Sequence, residues 1–469
     1  MKQLTTVDYK QIILRRDPRY DGRLYFGVTT TKIYCRPVCP ARPKPENIII
    51  YKSTSEAEKA GCRACLRCRP DLAPGNKFIN PGEEIARNGL RLIEESTMGE
   101  QSVEAVASAL GLSGRHLRRV FEEQLGASPI EIIQTRKLHL AKHLLFETRE
   151  PITEIAFAAG FNSVRRFNEA FKTAYRMTPS KIRTEKRCKV HKGDGITLSL
   201  MVRKPYDFGG VLSFLKRHAA RGIEIVTNNS YQRYVPDQKS YATIKVTMNK
   251  KQDALLANLR GFKLDQVSPI LVKIRRMFDV DHNPAHLPVT STTGQTGVRV
   301  TGSFDPFEVA VSIILSQLVS VQQATGKLAA LIEQFGTLIN GEDLYSFPDP
   351  AELMVAEIEK IGITRSKAHA IRVLSEMVHK SKLHFSYSAN LPKTRKQLLA
   401  IKGIGPWTTE MIMMRCFGDA DAFPERDLII QRALEQNLVD EALWKTNRSY
   451  MTHYVWNEFA ETLSKRKST

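Results

Sequence analysis

Four cysteines are spaced Cys35-x3-Cys39, then 25 residues, then Cys65-x2-Cys68. Two short chelating pairs suit tetrahedral thiolate coordination of zinc, because each pair fills two vertices and the intervening loop must fold back to bring the pairs together. That requirement constrains the N-terminal segment more tightly than any hydrophobic pattern in it. Cys62 leaves an ambiguity: Cys62 and Cys65 also form C-x2-C, and spacing does not exclude Cys62 as a ligand. A deaminase-type zinc site would need a His-x-Glu partner, yet none of the eleven histidines is followed by Glu two positions on. By spacing alone, a closed structural zinc site is the plainest reading.

In a reducing compartment such as the cytosol, a cysteine cluster reads as metal-binding or catalytic rather than disulfide-bonded. The N-terminus "MKQLTTVDYKQIILRRD" has no apolar run of signal-peptide length. No stretch approaches the roughly 18 to 20 apolar residues that a bilayer demands. The expected location is the cytoplasm, and no membrane partner is expected. Lys and Arg number 70 against 49 acids, a net charge of +21, of which +13 lies in residues 1–190 and +8 beyond them. An excess of this sign throughout the chain predicts attraction to a polyanion, with double-stranded DNA first, because phosphate contacts release counterions.

A length of 469 residues predicts about two to four domains, given about 100 to 200 residues for each. Pro70, Pro74 and Gly75 punctuate the end of the cysteine-rich segment, and "EEIARNGLRLIEEST" after them has helical periodicity. Between Gln101 and Arg183 the chain repeats: "VEAVASALGLSGRHLRRVFEEQLGASP" aligns with "ITEIAFAAGFNSVRRFNEAFKTAYRMTP" at an offset of 49 that becomes 50 after the turn. Each copy reads as helix-turn-helix. Gly111 or Gly160 ends the first helix, Ala107 or Ala156 allows a close crossing, and Leu117 with Phe121 or Phe167 with Phe171 supplies an i, i+4 core face. The charged, aperiodic "RTEKRCKVHKGDG" is a linker. Beyond it, "ITLSLMV", "GIEIVT" and "YATIKVTM" have strand composition, and from Phe304 onward the pattern is helical.

The stretch "YFGVTTTKIYCRPVCPARPKPENIIIYKSTSEAEKAGCRACLRCRP" resembles the Ada-type sensor domain, especially in "CRPxC", "ARxxxxEN" and "CxxC". The resemblance implies that Cys35 irreversibly accepts a methyl group from a DNA methylphosphotriester, with Cys39, Cys65 and Cys68 as co-ligands of one zinc ion. Methylation removes one of the cage's formal negative charges, so repulsion from phosphates falls and repair becomes a switch. Thr31, Arg42 and Arg63 match family positions near the DNA backbone; simple surface exposure is their plainer reading.

The repeated units resemble AraC-type regulators. The second helix of each is then expected in the major groove, with Arg115, Arg118, Arg165 and Arg166 at guanines or phosphates; a solvated charged face is the alternative. This arrangement implies promoter DNA and RNA polymerase as partners. Ada-type chains commonly continue into an alkylguanine methyltransferase marked "PCHR". Here no such tetrapeptide follows the linker; Cys188 lies in "KRCKV" and Cys416 in "MRCFG".

"LLAIKGIGPWTTEMI" places Gly403 and Gly405 between helical segments, and "FPERDLIIQRAL" follows with Asp427 leading an apolar helix. Such glycines let backbone N–H groups approach a phosphate. With "FDPFEVAVSIILSQLVS", the segment from Gly195 to Phe459 resembles the helix-hairpin-helix DNA glycosylases of the AlkA, or 3-methyladenine glycosylase II, type. The resemblance implies that Asp427 is the catalytic carboxylate, that Trp407 and Trp456 line the base pocket, and that Leu318 is the wedge filling the gap left by an extruded base. Asp427 also reads as an N-cap, and either tryptophan would otherwise be core. Trp407 stands where strand-cutting relatives place a Schiff-base lysine, so a monofunctional enzyme without lyase activity is expected. No cysteine follows Asp427, so no iron–sulfur cluster is expected.

The fold class expected is multidomain α+β: a small four-cysteine zinc domain (1–76), an all-α tandem helix-turn-helix domain (80–185), a linker (186–195), a small antiparallel sheet subdomain (196–290) and an all-α helix-hairpin-helix glycosylase body (291–469). The function expected is sensing of methylphosphotriesters with transcription activation, joined to excision of 3-methyladenine and related bases from alkylated DNA. The alternative is a non-enzymatic regulator with a structural zinc site and an inactive DNA-gripping body.

Overall fold

The computed structural model describes residues 6–17, 20–22, 24–70, 73, 81–95, 102–185, 195–237, 240–284, 287, 296–339, 343–386, 389–444 and 447–464. Cys188 and nearly all of the expected linker lie outside them. The chain divides into two compact units. One comprises Met1–Lys204, Asn249–Val272 and Val280–Asn283; the other comprises Pro205–Met248, Lys273–Asp279 and Pro284–Thr469. No described helix is long and apolar enough to cross a membrane.

In the first unit, α1 (Thr6–Leu14) precedes a sheet of β1 (Tyr25–Val28), β2 (Ile33–Cys35), β3 (Ile48–Tyr51) and β4 (Arg63–Ala64), ordered β3-β1-β2-β4, with α2 (Thr54–Lys59) between β3 and β4. Strands β1 and β2 are antiparallel, whereas β2 and β4 are parallel. The parallel pair closes with Arg63 N–H on Lys32 O (2.8 Å) and Cys65 N–H on Tyr34 O (2.9 Å). It therefore sets the end of β2, with Cys35, beside the end of β4, with Cys65. The loop is folded back by strand pairing, as the ligand spacing demanded.

The helices α3 (Pro81–Glu95), α4 (Val103–Ala109), α5 (Gly114–Leu125), α6 (Pro129–Glu147), α7 (Ile152–Ala158), α8 (Val164–Tyr175) and α9 (Pro179–Glu185) follow. The sequence repeat appears as repeated capping. Ser113 caps α5 by accepting from His116 N–H, and Ser163 caps α8 by accepting from Arg166 N–H. Leu117, Phe121, Phe167 and Phe171 are fully buried. α6 joins the two copies, and every residue from Leu140 to Phe146 is buried. Seven consecutive residues span nearly two helical turns, so this part of α6 has no solvent face. The unit is completed by β5 (Ile196–Met201), antiparallel to β9 (Ala254–Arg260).

A buried polar cluster ties α2 and β2 to α6. Glu58 accepts hydrogen bonds from Tyr34 (2.8 Å) and Thr135 (2.6 Å), and lies 3.4 Å from His139. Burial raises the Glu58 carboxyl pKa, but the hydrogen bond and charge of His139, with Thr135 and Tyr34, outweigh it and leave the group below 4.5. A folded-state pKa below the unfolded value gives stability that is present above the ordinary carboxylate range and is lost as pH falls through the folded value. Glu58→Ala is expected to lower the unit's stability by about 3 kcal/mol near neutral pH, and by less in acid. Urea melts of both proteins at several pH values check this; a pH-independent difference would contradict it.

The second unit contains α10 (Phe208–His218) and the antiparallel meander β6 (Glu224–Val226), β7 (Ser230–Asp237) and β8 (Ser240–Met248). α11 (Leu264–Met277) begins in the first unit's residues and ends in those of the second. A helical body follows: α12 (Pro306–Leu315), α13 (Val321–Phe335), α14 (Pro350–Val355), α15 (Arg365–His379), α16 (Leu391–Leu399), α17 (Pro406–Phe417), α18 (Leu428–Glu435) and α19 (Arg448–Ser464). Its core centres on α12 and α17, where Ala310, Val311, Ile314, Ile412 and Met413 are fully buried. Within the stretch of helical pattern that starts at Phe304, the helix breaks between α12 and α13. There Leu318 takes a left-handed conformation (φ 56°) and is fully exposed.

Candidate functional site

The Sγ atoms of Cys35, Cys39, Cys65 and Cys68 all lie within 4.8 Å of one another. Backbone N–H groups of Arg36 and Arg67 donate to Cys68 and Cys65 Sγ, each at 3.4 Å. The Arg36 side chain joins the cage to a buried ion pair, donating to the Cys68 carbonyl at 3.2 Å and to the Asp21 carboxylate. Hydrogen bonding with Cys39, then with Cys65 and Cys68, holds the Cys35 thiol far above its ordinary pKa, and hydrogen bonding with Cys35 holds Cys65 far below it. Four sulfurs this close cannot all ionise without a counter-charge, and a divalent cation with an affinity for thiolate fits the donor set. Cys62 is not part of this group. It faces Tyr51 Oη (3.6 Å) and the close approach of Gly27, where a Cβ would lie 3.1 Å from its sulfur. Residues three apart on an extended strand point to opposite faces, which separates Cys62 from Cys65. Thr31 and Arg42 are exposed and Arg63 is half-buried. Thr31, in the β1–β2 turn, adjoins Lys32, whose carbonyl accepts from Arg63 N–H; Arg42 is on the loop that follows Cys39.

Arg115 and Arg118 on α5, and Arg165 and Arg166 on α8, are all exposed. Arg118 lies 3.7 Å from Glu104, a solvent-exposed pair of small energetic weight.

In the second unit, Asp427 caps α18. Its Oδ1 accepts from Ile429 N–H (3.1 Å) and Ile430 N–H (3.3 Å). Both tryptophans converge on the same carboxylate: Trp456 Nε1 donates to Oδ1 at 3.2 Å and Trp407 Nε1 donates to Oδ2 at 3.3 Å. Four N–H donors from three helices thus fix one half-buried anion. Glu425, the rival carboxylate, is exposed. Phe214 of α10 stacks on Trp456 (5.9 Å, 20°), and Arg415 lies over the Phe214 ring (4.9 Å). Buried His453 meets Trp456 edge-on at 5.3 Å, and burial, then Arg415, holds its pKa well below 6.5. Trp407 also walls an open cleft of about 680 Å³ with Pro406, Phe423, Arg395 and Arg448. The hairpin before α17 turns at Gly403 (φ 97°), where a Cβ would meet Ser366 O at 2.8 Å. Gly405 is the N-cap of α17 and offers no side-chain oxygen, so the first-turn N–H groups remain available.

Models of three known families match parts of the chain. A model described as the metal binding domain of Ada matches residues 8–71, a helix-turn-helix domain model matches residues 106–185, and a model of the AlkA N-terminal domain matches residues 197–305. The probable bifunctional transcriptional activator/DNA repair enzyme AlkA of Mycobacterium tuberculosis is 30% identical over 470 residues, spanning 95% of this chain and 94% of the relative. The chain belongs to this activator/repair family. The Escherichia coli bifunctional activator/repair enzyme Ada is 36% identical over 152 residues, 32% of this chain and 41% of its own length. The DNA-3-methyladenine glycosylase 2 of the same organism is 26% identical over 266 residues, 54% of this chain and 94% of its own.

For this activator/repair protein the cysteine cage is a site for one zinc ion. Sequence reasoning did not reveal Phe214, Arg415 and His453 behind Trp456, or Gln317, whose contacts span 86 and 91 residues. The "SQLVS" motif flagged its neighbour Leu318 and nothing more.

Proposed function

We propose that the chain repairs alkylated DNA in two ways and reports the damage. Its division of labour is a sensor (1–76), a promoter reader (80–185) and a base-excising half (196–469). The observation that carries the excision reading is the convergence of both tryptophan N–H groups on Asp427, in a helix-hairpin-helix body.

A 3-methyladenine-type base already bears positive charge. As the glycosidic bond breaks, its electron pair leaves with the base, which departs neutral without an acid to protonate it. The sugar carbon becomes cation-like, and the Asp427 carboxylate stabilises it. Water then adds at that carbon, and its proton passes to the carboxylate or to solvent. Four donors hold the Asp427 carboxylate in place. The faces of Trp407 and Trp456 suit a cationic base through attraction of roughly 0.5 to 2 kcal/mol. Leu318 fills the vacated stack, while N–H groups at Gly403 and Gly405 hold a phosphate.

In the sensor, Cys35, Cys39, Cys65 and Cys68 would hold one zinc ion, whose charge would keep their thiols deprotonated at neutral pH. The Cys35 sulfur forms a bond to the methyl carbon as the bond from that carbon to the phosphotriester oxygen breaks, and the electron pair stays on the phosphate. Thr31, Arg42 and Arg63 hold the DNA backbone. The cage's lost negative charge strengthens promoter binding through Arg115, Arg118, Arg165 and Arg166, and RNA polymerase is recruited there, on cytoplasmic DNA.

Incubation with methylated duplex DNA is the test of the excision reading. Release of methylated bases, with no strand break before alkali and no borohydride-trapped protein–DNA adduct, is expected of a monofunctional glycosylase. Absence of base release would favour a regulator that only grips DNA.

A further inference from the structure

Leu318 is the most exposed large apolar side chain among the described residues, and it stands in the left-handed region on the short connection between α12 and α13. A leucine there is both poorly solvated and conformationally strained, so its placement needs support from elsewhere. Ser320 fixes the far end of the connection by forming a capping box with Gln323 at the start of α13. The near end is fixed by Gln317. Its Nε2 donates to the carbonyl of Gly403 at 2.8 Å and to Thr408 Oγ1 at 2.8 Å, so one side-chain amide grips the hairpin loop and the first turn of α17 together. The orientation of the amide follows from chemistry: the Gly403 carbonyl only accepts, and a primary amide nitrogen carries two hydrogens for two acceptors. The neighbouring Leu315 carbonyl is held in turn by Lys367 Nζ (2.9 Å).

We infer that Gln317 is a positioning residue that locks the Leu318 wedge to the phosphate-gripping hairpin, so that holding the backbone and driving the base out of the stack are performed by one rigid body. The inference rests on the excision reading above. A wedge that must displace a stacked, paired base works against an unstacking cost of a few kcal/mol. If it swings freely on its loop, the same encounter pushes the wedge aside instead. A lesion that is already unpaired makes no such demand. The two kinds of substrate therefore separate the clamp from a general structural role.

The experiment measures single-turnover base release from one methylated base, either in a fully paired duplex or opposite an abasic site, with 2-aminopurine beside the lesion reporting extrusion. The variants are Gln317→Glu, which keeps the shape but points an oxygen at the Gly403 carbonyl, and Gln317→Met, which keeps the length without donors. Thermal melts accompany each. Both variants are expected to slow release from the paired duplex by tenfold or more, with a matching loss of the fluorescence change, and to slow release opposite the abasic site by less than about threefold. On the paired duplex, combining either with Leu318→Ala is expected to lose no more than Leu318→Ala alone, because a clamp without a wedge has nothing to hold. Equal slowing on the two substrates, additivity with Leu318→Ala, or unchanged rates in folded variants would each overturn the proposal. Failure of the unaltered protein to release any base would instead overturn the excision reading on which it rests.

Discussion

Asp427→Asn is expected to slow base release by about a thousandfold while leaving the protein folded. Asparagine is as good an N-cap as aspartate, so the bonds from Ile429 and Ile430 N–H to Oδ1 survive, and Trp456 still finds an oxygen. On the other side the amide presents N–H groups to the Trp407 N–H, now 3.3 Å from Oδ2. That contact changes from acceptor to donor and is repulsive. The larger loss is charge: a neutral amide gives the cation-like sugar little of the stabilisation that an anion gives. Loss of a charge at the α18 N-terminus costs about 0.3 to 1 kcal/mol of stability, so a melt nearly unchanged beside a collapsed rate would assign the effect to chemistry. Equal release by both proteins would remove Asp427 from the catalytic role.

The second large effect is all-or-none. After incubation with DNA carrying methylphosphotriesters, the intact protein is expected to gain the mass of one methyl group, mapped to the peptide containing Cys35, and Cys35→Ala to gain none. The structure gives this test an edge. Cys35 is 3% exposed and Cys39 1%, whereas Cys68 is half-buried, so accessibility alone points to Cys68 and the family pattern points to Cys35. A methyl group on Cys68 would reassign the acceptor within the same cage. An unchanged mass would leave the cage a purely structural zinc site.

Much of the site was legible because its parts are local in sequence. The two cysteine pairs, the glycines before α17 and the aspartate opening α18 each occupy a few consecutive residues, and capping or chelation follows from spacing. The tandem helix-turn-helix units were legible for the same reason, since Gly111 and Gly160, and Ser113 and Ser163, recur in step. What spacing left open was settled by alternation: Cys62 points to the face opposite Cys65. β7 and β9 escaped notice because the polar residues and Pro236 of the one, and the helix-forming Ala and Leu of the other, do not favour a strand, and pairing with neighbours defines them. Gln317, Phe214 and His453 carried no signal, because an amide or a ring at a helix end becomes meaningful only once tertiary packing brings a distant partner to it. Nor did the sequence show that Trp407 and Trp456, expected to line the base pocket, donate their N–H edges to Asp427.

The helix α6 has a practical consequence for anyone dissecting this chain. Its stretch from Leu140 to Phe146 is shielded on all sides, and its neighbours include α2 of the zinc domain, the helices of both reading units and β5. A fragment cut just after the zinc domain, or just before β5, therefore leaves α6 with a naked apolar flank, and such pieces invite aggregation when expressed alone. Separately made fragments would then understate what each module does, and mutations that silence one activity within the intact chain are the cleaner way to apportion them.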